Sequence, residues 1–415
     1  MDGAAVESRY RQACELEDAG RMEEAAAAYR AVVDADPGHA KARNNLGSAL
    51  QLLGRMEEAL ACFEAAARLD PLLWQPHYNI GMHYKLSGDP GRAVRPFQEA
   101  MRRKRGPAAP AIDSDPTFLK VSKAKLRHDI EQFDYLLGLG ILDAGYRDVV
   151  AALRAALAAL PAELAAGALV DFPGGLSGAA ARAYNRLVHF HDAPEVPGSA
   201  LNLALDSAAI EAAYARQWPG RVHLDGLLAP AALAGLRRFC LESTVWFDFQ
   251  YADGYLGAYF EDGFACPLLA QIARELPQAL PGIFRGEKLT ELWAYKYDSE
   301  LDGIDVHGDF AAVNVNFWIT PDAANLAPES GGLVVWDRQA PIDWDFGAYN
   351  KDVPRMREFL QRTGARAITV PHRQNRAVIF HSDLFHETDA IRFRPGYENR
   401  RINITMLYGE RGGGR

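Results

Sequence analysis

Cysteine is scarce: four occur in 415 residues (Cys14, Cys62, Cys240, Cys266), far apart and with no C-x-x-C pair, which fits reduced thiols rather than a disulfide framework. Long apolar runs are missing too. No stretch of eighteen apolar residues escapes interruption by charge, glycine or proline, so no membrane span is expected. Basic residues are outnumbered, 45 Lys and Arg against 54 Asp and Glu, and the net charge of −9 argues against a chain built to wrap nucleic acid. The opening MDGAAVESRY carries acids and no apolar core, so no secretory signal is expected and a cytoplasmic location is. What is present is ordinary globular composition, 49% apolar and 24% charged, over a length that implies two or three domains.

The front quarter repeats itself at a shift of 34 residues. Gly20, Gly54 and Gly88 share that spacing, as do Ala25, Ala59 and Ala93, and Tyr29, Phe63 and Phe97. Pro37 and Pro71 recur likewise, and Val32, Ala66 and Ala100 fill a further column. Small alanines suit close helix contact, aromatics plug neighbouring repeats, glycine ends the first helix and proline follows the second. The pattern resembles the tetratricopeptide repeat, a helix–turn–helix unit that stacks into a solenoid. Residues 1–105 are therefore expected to form three repeats whose groove holds a peptide or protein. Lys41, Asn45, Ser48, Tyr78, Asn79, Met82 and Lys85 are expected on the groove side. Where some family members place a lysine that clamps a C-terminal carboxylate, this chain has Tyr10, so that clamp is not expected.

Residues 106–220 read as a helical cap and linker. GPAAPAIDSDP is a break of linker composition, and Phe118, Val121, Leu126, Ile130, Phe133 and Leu137 then mark an amphipathic helix expected to cover the solenoid's apolar end. RDVVAALRAALAAL, ending at Pro161, is a second helix. His189, His191 and Asp192 stand together in HFHD, but with no further ligand nearby they read as a surface cluster.

From Arg221 the texture turns to short β-branched and aromatic runs. Strands are expected at 291–297, 313–319, 333–336, 366–370, 376–380 and 401–408, with helices near 230–243 and 265–279, together suggesting a jelly roll. H-x-D occurs at His223/Asp225, His307/Asp309 and His381/Asp383, a spacing that sets both ligands on one side of an extended segment. A two-imidazole, one-carboxylate iron site needs a third ligand returning from a distant strand. Only His307 has such a sequel, in His386, with His381 as its rival. Arg401 then opens a strand with Asn403 and Thr405 on its side, and Arg400 is the alternative in the opposite register.

Residues 221–410 resemble a 2-oxoglutarate and Fe(II)-dependent oxygenase of the prolyl-hydroxylase-like kind, through His307-Gly308-Asp309, NFWITPDAANLAPESGGLVVW, IFHSDLFHETD and GYENRRINIT. The resemblance implies a double-stranded β-helix with His307, Asp309 and His386 as catalytic iron ligands. It also implies Arg401 on the C5 carboxylate of 2-oxoglutarate, with Asn403 where the family has serine, and Tyr297 and Asn316 at the co-substrate. Fe(II), 2-oxoglutarate and O2, with ascorbate as a further cofactor, would then hydroxylate a side chain of a recruited peptide or protein. Two other readings stay open: a tailoring hydroxylase of a small metabolite, and a non-catalytic interaction protein with a ligand-sensing barrel. The overall expectation is a multidomain α + β chain: solenoid 1–105, helical region 106–220 and jelly roll 221–415. The terminal RGGGR is expected to be a tail.

Overall fold

In the front quarter, each 34-residue period becomes a helix, a glycine turn and a second helix. The computed structural model describes residues 3–107, 116–301 and 303–412; most of the expected linker at 106–116 and the last three residues of RGGGR lie outside them. Helices α1 (Gly3–Asp18) and α2 (Met22–Ala35), α3 (Ala40–Leu52) and α4 (Met56–Leu69), and α5 (Gln75–Ser87) and α6 (Pro90–Arg105) make three hairpins. With a short return at 261–265, residues 1–111 form one compact unit. Gly20, Gly54 and Gly88 adopt φ of +72°, +76° and +88°, the left-handed turn that a side chain disfavours. Ala25, Ala59 and Ala93 are wholly buried, as are Tyr29, Phe63 and Phe97. A Cβ at Gly47 or Gly81 would come within 2.5 Å of the Phe63 or Phe97 ring, so these two glycines make room for the plug of their own repeat.

The acidic return segment is tied in by charge. Asp262 lies 2.6 Å from Arg105 and 3.2 Å from Lys104. Burial raises its carboxyl, but the two cations outweigh that and hold it down at about 2.

The second unit takes the rest of the chain from Ile112. It begins with β1 (Lys120–Val121), α7 (Lys123–Gly138), α8 (Arg147–Ala159), β2 (Val170–Asp171), α9 (Gly178–Ala181) and α10 (Ser207–Arg216). The apolar face of α7 (Leu126, Phe133, Leu136) is filled by Val149 and Leu153 of α8. Next come β3 (Arg221–Asp225), α11 (Pro230–Glu242), β4 (Leu256–Tyr259), α12 (Pro267–Ala279), α13 (Pro281–Phe284) and β5 (Leu289–Lys296). Then follow β6 (Glu300–Leu301), β7 (Ile304–His307), β8 (Val313–Trp318), β9 (Leu333–Gln339) and α14 (Val353–Arg362). The chain finishes with β10 (Ala367–Val370), β11 (Arg376–His381), β12 (Leu384–Thr388), β13 (Ile391–Arg392) and β14 (Ile402–Tyr408).

These strands form a six-stranded sheet, β3-β11-β8-β14-β5-β4, and a four-stranded sheet, β10-β9-β12-β7, with two short pairs, β1-β2 and β13-β6. Every pairing is antiparallel. Trp318, Val378 and Phe380 of the large sheet meet Leu333, Val335 and Leu384 of the small one. On the outer face, Tyr408 donates to Ala273 of α12 (3.0 Å) and Lys296 to Cys240 of α11 (3.0 Å).

The expected double-stranded β-helix is corrected here. The two sheets share no strand and do not close into a barrel; each keeps two edges, and helices attend to two of them, α10 beside β3 and α14 beside β7. A covered edge needs no closure to avoid an unpaired backbone.

Truncating Phe63→Ala empties a fully enclosed aromatic site and should cost about 3–5 kcal/mol, measured by urea unfolding. The lowered Asp262 value makes its ion pairs fully effective above about pH 4 and lost as the pH falls towards 2, a contribution of about 2 kcal/mol with a quarter of the side chain still wet. Asp262→Asn should therefore lower stability at neutral pH and flatten the acid limb of a pH–stability curve.

Candidate functional site

Strand register brings His307 and His386 face to face, as paired residues on β7 and β12. Their ring centroids lie 4.3 Å apart. Asp309 follows two residues after β7, held by its amide on Ser382 O (3.3 Å), with Oδ2 3.4 Å from His386 Nε2. His307 Nδ1 donates to Asp305 O at 2.8 Å and His386 Nδ1 to Leu384 O at 3.0 Å. A carbonyl only accepts, so both imidazoles carry a proton on Nδ1 and turn Nε2 towards the carboxylate. Burial, with His386 adding, pushes His307 down and keeps it neutral; burial opposes ionisation of Asp309, but the neighbouring imidazoles and Asn314 hold it below its usual range. Two lone-pair nitrogens and one carboxylate within 4.8 Å are a donor set that fits a divalent transition metal.

Asp309 is the end of a buried polar ladder across the inner face of the large sheet. Asn314 donates to Asp309 Oδ2 (2.6 Å) and Asn316 to Asn314 Oδ1 (2.5 Å). Asn316 Oδ1 in turn accepts from Asn403 (2.8 Å) and Thr405 (2.8 Å). Residues 314 and 316 on β8 and 403 and 405 on β14 are thus on one face, because Thr405 and Asn403 pair with Asn316 and Trp318.

Arg401 lies beside this ladder and Arg400 elsewhere. Arg400 is spent on Glu131 at 2.7 Å. Arg401, 1% exposed, donates to Gly331 O (2.6 Å) and Gly332 O (3.1 Å), and its guanidinium carbon sits 4.8 Å from the Tyr297 ring centre and 5.6 Å from that of Trp318. Its Nη1 has no hydrogen-bond partner among the described residues, and neither do Trp318 Nε1 and both ring nitrogens of His372. His372 lies tilted against Trp318 (5.9 Å between ring centres) and is pushed down to about 3 by burial, with Arg401 and Arg376 adding, so it stays neutral. Buried polar groups left unpaired together point to a ligand that pairs them.

Sequence reasoning missed His372, which belongs to no motif. The rival His381 ends β11, with its Nδ1 near Gln339 and the Asp383 amide. His223 is exposed on edge strand β3.

In the repeats, Lys41 is exposed. Asn45 donates to the phenol oxygens of Tyr10 (3.2 Å) and Tyr29 (3.3 Å), and Asn79 to Asn44 (3.0 Å) and Ser48 (3.4 Å). Tyr78 sits edge-on to Trp74 and Phe97. Lys85, expected on the groove, is instead buried with its ammonium 3.6 Å from Glu261.

The tetratricopeptide repeat family profile matches residues 10–73. No curated protein matches the chain. Among solved structures, the CopN–Scc3 complex is 20% identical, with 25% of this chain and 61% of that one covered and a TM-score of 0.24. The Yersinia enterocolitica type III secretion translocator chaperone SycD is 18% identical (28% and 81% covered, TM-score 0.25). The TPR2B domain of yeast Sti1, in complex with pHsp70, is 19% identical (24% and 79%, TM-score 0.23). Among the described residues, no helix is long and apolar enough to cross a membrane. These findings correct the oxygenase reading of residues 221–410, and with it the hydroxylase function and its metabolite-tailoring variant: the family match falls on the repeats, nothing found supports an oxygenase domain, and the sheets stay open. The chain carries an N-terminal tetratricopeptide-repeat region, the match running from within the first hairpin to the turn after the second.

Proposed function

We propose that the chain is an adaptor, holding a polypeptide on its repeats and sensing a small ligand in its second unit. The observation that carries the sensing half is the set of buried, unpaired donors on Arg401, Trp318 and His372 beside the His307–Asp309–His386 cluster. In this reading the cluster takes a divalent transition metal such as Fe(II), which when bound would supply a Lewis-acidic anchor for one end of a carboxylate ligand. Arg401 takes the other end, and Tyr297, Asn316 and Asn403 line the way between. Arg401 grips Gly331 and Gly332, which precede by a few residues Val335, the strand neighbour of His386. A dicarboxylate such as 2-oxoglutarate offers one carboxylate to the cation and the other to the guanidinium. The polypeptide half rests on exposed Lys41 and on Asn45, Tyr78 and Asn79, whose polar atoms line successive first helices of the repeats.

Calorimetry with Mn(II) and 2-oxoglutarate tests the sensor. Arg401→Gln should weaken the dicarboxylate by about 10–100-fold, the worth of a charged hydrogen bond, with metal affinity kept, whereas His307→Ala should lose the metal; equal dicarboxylate affinity in Arg401→Gln sinks this half. For the groove, a fluorescent random-peptide array probed with the full chain should yield binders that weaken about tenfold in Asn79→Ala. No binder, or binders indifferent to Asn45, Asn79 and Lys41 substitutions, refutes it.

A further inference from the structure

We infer a second divalent-metal site, built from His189, His191 and Glu242, whose chemistry suits Zn(II). It is independent of the dicarboxylate sensor and of the repeats. His189 and His191 alternate along an extended segment, so both imidazoles share a side while Phe190 turns away to meet the Phe239 ring edge at 5.5 Å. The further ligand that HFHD lacked comes from α11, whose last residue is Glu242.

The two elements are stitched together by their backbones. The amides of Val188 and His189 donate to Thr244 Oγ1 (2.8 and 3.0 Å), Thr244 N donates to His189 O (2.9 Å), and His191 N donates to Ser243 Oγ (3.1 Å). Glu242 is therefore fixed opposite both histidines before any ion arrives. Its carboxylate is buried, with 6% of the side chain exposed, and Oε2 lies 3.1 Å from His191 Nδ1. One donor atom from each of the three lies within 4.8 Å of the others. Tetrahedral zinc with bonds of about 2.0 Å needs its ligands roughly 3.3 Å apart, a closure that rotation of two half-buried imidazoles supplies. Two imidazoles and one carboxylate leave the fourth position to water.

Arg238 Nε donates to the other oxygen, Glu242 Oε1, at 2.7 Å. That bond orients the carboxylate and leaves Oε2 for the ion, but the guanidinium charge also competes with a cation. Its side chain is 62% exposed, so it is removable without disturbing the core. Burial pushes both imidazoles down, leaving them neutral and ready to ligate near pH 7. An ion here would tie the 188–193 segment to the end of α11 and stabilise the fold in proportion to its binding.

The test is a Co(II) titration of the full chain carrying His307→Ala and His386→Ala, followed by absorption and then Zn(II) displacement. One equivalent with tetrahedral d–d bands is expected, together with a rise in Tm on adding Zn(II). Adding His189→Gln and His191→Gln should remove that equivalent, and Arg238→Ala should tighten it by about threefold, the worth of one part-exposed ion pair. No uptake in the double-alanine background, or uptake that survives the glutamines in a chain folded by circular dichroism, overturns the site. Should the background fail to fold, the otherwise unaltered chain decides: His191→Gln must lower its cobalt stoichiometry by one, and an unchanged stoichiometry refutes the proposal.

Discussion

The second unit depends on a polar stripe sealed between two sheets. Inner faces of packed sheets are normally apolar, and burying an unpaired amide costs about 1–3 kcal/mol. Here Asn314, Asn316, Asn403 and Thr405 occupy that face, and the cost is offset because each is bonded to the next and the chain of bonds ends on a carboxylate, Asp309. The ladder works only if β8 and β14 keep their register: a one-residue slip would send all four polar side chains to the helix-covered face and bring Val315 and Ile404 inside. The same register that satisfies the amides therefore also sets Asp309 against His386 and aims Arg401 past Trp318.

How legible this was depends on whether the signal was local. The 34-residue period survives in single columns, since Gly54 must turn and Phe63 must plug whatever the remainder of the chain does. Strand positions were equally readable: the runs expected at 313–319 and 376–380 match β8 and β11 to within a residue. Sheet closure was not, because edge coverage by α10 and α14 is a tertiary fact with no local mark in β3 or β7. Nor was the burial of Lys85. It occupies a groove-side position in its helix, and only Glu261, from a segment more than 170 residues on, explains why it turns inward.

The candidate sites show the same division. His307 and Asp309 are two residues apart, and an extended chain sets them on one side by its own geometry. His372, in contrast, has no companion within its segment; its neighbours Trp318 and Phe393 come from elsewhere, and its importance lies in two unmet ring nitrogens that only three dimensions reveal. Glu242 was hidden for the same reason: its helix was expected near 230–243, but it sits some fifty residues from HFHD, and only the fold brings the two together.

The two histidine clusters differ in how far each is set before binding. In the first, backbone carbonyls accept from Nδ1 of both imidazoles, so Nε2 already faces the site and only the 3.4 Å contact of His386 Nε2 with Asp309 Oδ2 gives way. In the second, His191 directs Nδ1 at Glu242 Oε2, the oxygen an ion would use. An incoming cation there must replace that contact, and His191 must shift its proton to Nε2 or rotate its ring. Ligation at the second cluster thus replaces a 3.1 Å contact and reorients a ring, whereas at the first it displaces only a longer 3.4 Å one. With similar ligand types, the first cluster should hold its ion more tightly, and the difference originates in where two backbone carbonyls happen to point.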